Sequence, residues 1–237
     1  MSKLSIVLRT LSFRLRADEY SALDWRDARL GLGLAWIAGI GRYWDHPYAG
    51  LAQKSGVGSV VYVFGLAGLI WLLLRPLRLH RRNYSSVVAV VGFTSPLAWL
   101  YALPVERWMN LESAMRINLW FLALIALVRV LLYARFLRVG AACSWFATLV
   151  LTLMPLALIV VTLFALDLEN AALNLMAGID RSDPSRAVAQ QTASVLLTLT
   201  LFSFYAALPL LGAYAWLTAS AELRHTRAVE RGFEDAR

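Results

Sequence analysis

Four stretches of this chain run for about 20 residues or more without a formal charge: 55–74, 83–105, 139–166 and 195–217, the last being the apolar part of an uncharged run over 187–221. A helix needs about 20 mainly apolar residues to cross a hydrocarbon core of roughly 30 Å, because lipid offers no partner to an unpaired backbone N–H or C=O. A fifth stretch, 117–137, holds Arg129 and Arg135 among Leu, Ile, Val, Phe and Trp and also reads as a span. Pro96, Pro155 and Pro209 fall inside three of these runs. Each predicts a kink or local unwinding, which neighbouring helices tolerate.

The segment 30–41, LGLGLAWIAGIG, has only twelve uncharged residues. By length it resembles an interfacial or re-entrant piece, and charge decides its assignment. Without it the chain has five spans, with Lys and Arg divided 12 to 10 between the two sides. With it there are six, and only Arg42, Lys54, Arg107, Arg116, Arg181 and Arg186 lie on one side. Sixteen of the 23 basic residues then lie on the side of both termini, with Arg129 inside. Cytoplasmic segments carry the excess of Lys and Arg. The reading is therefore an all-α polytopic bundle with both termini cytoplasmic in a bacterial inner membrane, and five spans if 30–41 does not cross. The expected helices are 27–44, 55–74, 84–104, 117–137, 143–166 and 193–218. Residues 1–26 form a cytoplasmic interfacial segment, 27–218 the bundle and 219–237 a cytoplasmic tail. Tyr43, Trp44, Tyr48, Trp99, Tyr101, Trp108 and Trp120 gather at the outer boundary, as an aromatic belt does.

Composition fits this picture. The chain is 59% hydrophobic and 16% charged, against about 25% charged in an ordinary soluble domain, which excludes a soluble enzyme. Its net charge of +8 points to anionic headgroups at the cytoplasmic face rather than to nucleic acid. Leu4, Val7, Leu8, Leu11 and Leu15 form one stripe of an N-terminal amphipathic helix, expected to lie on that leaflet. Lys3, Arg9, Arg14 and Arg16, with Arg75, Arg78, Arg81 and Arg82, face the headgroups. Arg9 interrupts the first apolar stretch, so no cleaved secretory signal is expected.

Chemistry-bearing motifs are missing. There is no H-E-x-x-H, no G-x-S-x-G, no pair of intramembrane aspartates and no phosphate- or dinucleotide-binding glycine loop. Cys143 stands alone and reads as a small packed side chain. His46, His80 and His225 lack any metal-ligand spacing, so no catalytic residue, metal or cofactor is expected. Ser95, beside Pro96, reads as a packing or backbone-bonding residue.

Three groups remain as candidates. Arg129, with Asn118 and Tyr133 near the same helical face, forms a polar stripe inside a span, where a charge is expensive and usually faces the bundle interior. Asp45 and His46, with Glu106 and Arg107, could meet at the outer rim and bind a headgroup or peptide, or form an interfacial girdle. Gly31, Ala35 and Gly39 fall at i, i+4 and i+8, a small-xxx-small stripe for close helix approach, within the bundle or in a homodimer.

The order from residue 30 to 166 is a short first helix, a Gly-rich second (GVGSVVYVFGLAGLIWLL), a basic stretch, then NYSSVVAVVGFTSPLAWLYALPVE and NLWFLALIALVRVLLYARFL. This arrangement, centred on Tyr84, Ser95 and Pro96, resembles the five-helix core of the Yip family of Rab-interacting membrane proteins. The helix near 195–217 departs from the family's five-helix pattern. The resemblance implies a non-catalytic role in membrane organisation or trafficking and transfers no catalytic residue. The leading expectation is therefore a membrane scaffold or accessory factor with an unknown membrane partner. A small transporter or lipid-handling protein built on Arg129 is the alternative, and an intramembrane enzyme built on Asp45, His46 and Glu106 the third.

Overall fold

The structure, a computed structural model, describes residues 3–44, 50–77, 83–103, 105, 108–166 and 186–234. Every element among them is helical: α1 (Lys3–Leu11), α2 (Ala17–Ser21), α3 (Trp25–Tyr43), α4 (Leu51–Lys54), α5 (Val57–Leu74), α6 (Tyr84–Phe93), α7 (Leu111–Arg135), α8 (Trp145–Ala165) and α9 (Arg186–Glu234). Three irregular turns of helix join them. A 3-10 turn at Arg75–Leu77 follows α5, a 3-10 run at Ser95–Ala102 follows α6, and a π-helical turn at Phe136–Gly140 follows α7. Four stretches are long and apolar enough to cross a membrane: Val57–Leu77, Arg116–Gly140, Trp145–Ala165 and Thr200–Leu223.

Helix α3 is the hub, packing on α6, on the 3-10 run and on α5. It starts with a reciprocal cap. The Asp24 side chain accepts from the backbone N–H of Arg26 and Asp27, and Asp27 accepts from that of Asp24, which satisfies orphan donors of the first turn. Its 19 residues reach about 28 Å at 1.5 Å per residue. A Cβ built on Gly92 of α6 would lie 2.6 Å from the carbonyl carbon of Gly31. The two backbones therefore touch, and only glycine fits between them. Ala35 is buried in the core, and Gly39 meets Ser59 and Gly56 at the start of α5. All three residues of the small stripe thus sit inside the described chain. Gly56 itself has φ +70, the left-handed region that favours glycine.

The third expected helix, 84–104, is not one α-helix. Its α part ends at Phe93, and eight residues of 3-10 helix follow. Pro96 lacks an N–H, the residue before it is pushed from the α region, and Thr94 donates its hydroxyl to the Val91 carbonyl at 2.7 Å. Because 3-10 helix rises about 2.0 Å per residue against 1.5 Å, the ten α and eight 3-10 residues cover about 31 Å together. The other two prolines lie inside unbroken helices, so neither unwinds its helix as Pro96 does. At Pro155 the reason is visible. Its missing N–H frees the carbonyl of Leu151, and Tyr133 Oη of α7 donates to that carbonyl at 3.1 Å.

The N-terminal stripe is also revised. Phe13 takes φ 58, which ends α1 and turns the chain, so Leu15 lies beyond the helix and is fully buried. Val7 faces the core, whereas Leu4 and Leu8 are 62% and 59% exposed. Helix α9 is far longer than the expected 193–218. Its 49 residues measure about 74 Å at 1.5 Å per residue, so it extends beyond its apolar part.

Candidate functional site

Several side-chain donors among the described residues are spent on backbone carbonyls of neighbouring elements, which would otherwise need water or another donor. Tyr214 Oη donates to the Leu73 carbonyl at 2.9 Å, capping the end of α5. Ser86 Oγ donates to Leu23 O at 2.9 Å, and Trp36 Nε1 to Ser55 O at 2.7 Å. Trp44 Nε1 reaches Ala102 O at 3.2 Å, joining the end of α3 to the end of the 3-10 run.

Asn118, Arg129 and Tyr133 are half-buried on the face of α7 that carries buried Ala114, Ile125 and Leu132. The structure spreads them along that face. Asn118 and Arg129 are eleven residues apart, about 16 Å of helix rise, so they cannot grip one small ligand together. Arg129 and Tyr133 are one turn apart, with the Arg129 Nε sealed from solvent and the Tyr133 hydroxyl directed to Leu151 O. Asp45, His46, Glu106 and Arg107 lie outside the described residues, as do Arg78, Arg81 and Arg82. Among the described residues no group of three or more His, Cys, Asp or Glu is placed to hold a metal ion. Ser95 is buried.

Two clusters that the sequence reading did not assemble lie around the start of α3. In the first, α1 and α2 dock on the bundle. Lys3 Nζ binds Asp27 Oδ1 at 2.6 Å, and the Asp27 side chain is only 4% exposed. Arg9 pairs with Glu19 at 2.5 Å. Arg135 Nη2 donates to Leu15 O at 3.1 Å, and Tyr20 stacks edge-on against Phe136 at 5.6 Å. Gly140, at the end of the π turn, leaves room for the Tyr20 ring, whose Cγ would sit 2.9 Å from an added Cβ. Ala142 then takes φ 50, a left-handed geometry costing about 1–3 kcal/mol, sustained by the surrounding contacts.

Burial raises the Tyr20 phenol above its ordinary pKa, and the Arg135 guanidinium beside it only partly offsets this. The folded pKa exceeds the unfolded one. The contribution of Tyr20 to docking is therefore fully present below about pH 10 and is lost as pH rises through the folded value. The protection of amides 12–22 relative to their intrinsic base-catalysed exchange should fall above about pH 10 in the native chain, and that fall should be absent in Tyr20→Phe; an identical fall in the variant would contradict the assignment.

The second cluster is an aromatic ladder across three helices. Trp25 of α3 meets Tyr84 of α6 edge-on at 6.1 Å, Tyr84 meets Trp71 of α5 at 6.0 Å, and the Arg75 guanidinium lies over Trp71 at 5.3 Å. Tyr84 also donates its hydroxyl to Phe64 O at 3.0 Å. The sequence carried a signal for it: Trp25, Trp71 and Tyr84 each stand near an end of an apolar run, within four residues of an arginine. A comparable pairing occurs on α8, where Arg138 lies over Trp145 at 4.9 Å and donates to Cys143 O.

No family model, curated protein or solved structure matches this chain. Among the described residues, the class that the fold defines is an all-helical protein with four helices long and apolar enough to cross a membrane.

Proposed function

We propose that the chain is a six-span inner-membrane protein with both termini cytoplasmic, acting as a scaffold or accessory factor rather than as a catalyst. The observation that carries the six-span reading is the pairing of α3 with α6 and its 3-10 extension. Each of these two partners covers close to the 30 Å of a hydrocarbon core, and they are joined through the Gly31–Gly92 contact. Exposed Trp36, Ile37, Ile40 and Trp44 on α3 suit a helix bordered by lipid. The charge asymmetry of 16 to 6 supports the orientation. Docked α1 presents Leu4 and Leu8 outward, which suits insertion at the cytoplasmic leaflet.

A role in membrane organisation, as the likeness to the Yip family implies, agrees with side-chain donors committed to the backbone. A reporter fused after Arg237 should be active only as a cytoplasmic fusion; activity of an exported reporter there would overturn the six-span reading.

A second reading, a small transporter, draws on Arg129. This residue lies on the inward face of α7, with its Nε sealed from solvent. Liposomes holding the full chain should then pass small anions, and Arg129→Leu should abolish the flux. Permeability equal to that of empty liposomes would remove this reading.

A further inference from the structure

We propose that the outer face of α5, from Arg75 to Val61, is a binding site for one anionic phospholipid. This rests on the reading of α5 as a membrane span. Val61, Gly65, Gly68, Leu72 and Arg75 follow one another at spacings of 4, 3, 4 and 3 residues, so they line a single face of the helix. That face is opposite the core, to which α5 turns Val63, Ala67, Ile70 and Leu74. Val61 and Leu72 are exposed, and a Cβ built on Gly65 or Gly68 would meet nothing within 4 Å. The result is a shallow trough between Val61 and Leu72. From Val61 to Arg75 it runs about 21 Å at 1.5 Å per residue, enough for an acyl chain with its glycerol end.

The end of the trough supplies what a phosphodiester needs. Arg75 is exposed, and its guanidinium is held over the Trp71 ring at 5.3 Å. Its orientation is thus fixed before any ligand arrives, and a guanidinium matches phosphate oxygens in a bidentate fork. Trp71, Tyr84 and Trp25 form a continuous wall beside it, of the amphipathic kind that sits at headgroup depth. Arg29, one turn along α3 from Trp25, is exposed as well and adds a second cation on the helix that carries the last member of that wall. A zwitterionic headgroup would bring its own cation toward these two. An anionic lipid such as phosphatidylglycerol brings none, so charge complementarity selects the anionic class. The trough opens sideways to the apolar surface, which commits the site to a lipid rather than to a soluble phosphate.

Native mass spectrometry of the full chain in a non-ionic detergent tests this, with phosphatidylglycerol and phosphatidylcholine of identical acyl chains as probes. The wild-type chain should retain phosphatidylglycerol at least about fivefold better than phosphatidylcholine. The double change Arg29→Gln and Arg75→Gln should lower phosphatidylglycerol retention by about fivefold or more, and Lys54→Gln, just before the other end of α5, should not alter it. Gly68→Leu fills the trough in open space away from the core, and should lower retention without lowering the thermal stability of the chain. Equal retention of the two lipids, an undiminished double variant, or displacement of the lipid by millimolar inorganic phosphate would each overturn the proposal. Recovery of the chain in the membrane fraction tests the spanning reading separately.

Discussion

Gly92→Ala is expected to be among the most damaging single-methyl changes in this protein, while Gly65→Ala is expected to be harmless. At Gly92 an added Cβ falls 2.6 Å from the Gly31 carbonyl carbon and 2.7 Å from its Cα. Both are backbone atoms of the hub helix, so no side chain can swing aside. The two helices must separate, and overpacking of this kind costs typically 1–3 kcal/mol, occasionally more. The reciprocal change is milder. A Cβ on Gly31 lies 3.1 Å from Gly92 Cα and 3.2 Å from Ala89 O, so a shift of a few tenths of an ångström relieves it. At Gly65 nothing lies within 4 Å, and helix propensity favours alanine by up to about 1 kcal/mol. Unfolding by denaturing detergent should rank stability as Gly65→Ala at or above wild type, then Gly31→Ala, then Gly92→Ala. Equal stability of Gly65→Ala and Gly92→Ala would contradict the packing of α3 on α6.

Tyr133→Phe should cost about 1–2 kcal/mol, and that cost should vanish once Pro155 is replaced by alanine. The hydroxyl of Tyr133 donates to the carbonyl of Leu151 at 3.1 Å, the acceptor that residue 155 would satisfy if it carried an N–H. Removing the hydroxyl leaves a buried carbonyl unsatisfied, at about 1–3 kcal/mol, softened in membranes because other donors are found. In the Pro155→Ala background the helix makes its own bond and the tyrosine becomes dispensable. A double-mutant cycle on these two positions isolates the coupling. A coupling energy within error of zero would show that the tyrosine does not serve the proline.

The same pair illustrates what could be read along the chain and what could not. The uncharged runs locate α5, α8 and the apolar part of α9, because the rule that places them needs only length and absence of charge, and α7 follows from length and apolar composition despite Arg129 and Arg135. Pro155 and Tyr133 are both visible as residues, yet their connection depends on which helix lies beside Leu151, and no local pattern encodes that. Tyr133 was therefore grouped with Arg129 and Asn118, with which it shares a helix face, rather than with the proline it supports. The N-terminal stripe failed for a different reason. Helical spacing aligned Leu15 with Leu4 and Leu8, but the left-handed turn at Phe13 takes Leu15 off the helix and into the core. Phenylalanine gives no warning of such a turn. The 3-10 run after Thr94 was foreshadowed by Pro96, but not its length of eight residues, which rests on packing against α3.

Helix α3 carries the central claim, since its crossing decides between an odd and an even number of spans and so the side on which the C-terminus lies. Substituted-cysteine labelling of intact cells with a membrane-impermeant maleimide tests it directly. The background is Cys143→Ser, which removes a buried thiol. Ser12→Cys lies before α3 and Leu51→Cys after it, and both native residues are exposed. If α3 spans, only Leu51→Cys is labelled in intact cells, and Ser12→Cys is labelled only after the membrane is opened. Labelling of both, or of neither, in intact cells would place the two ends of α3 on one side and contradict the six-span architecture.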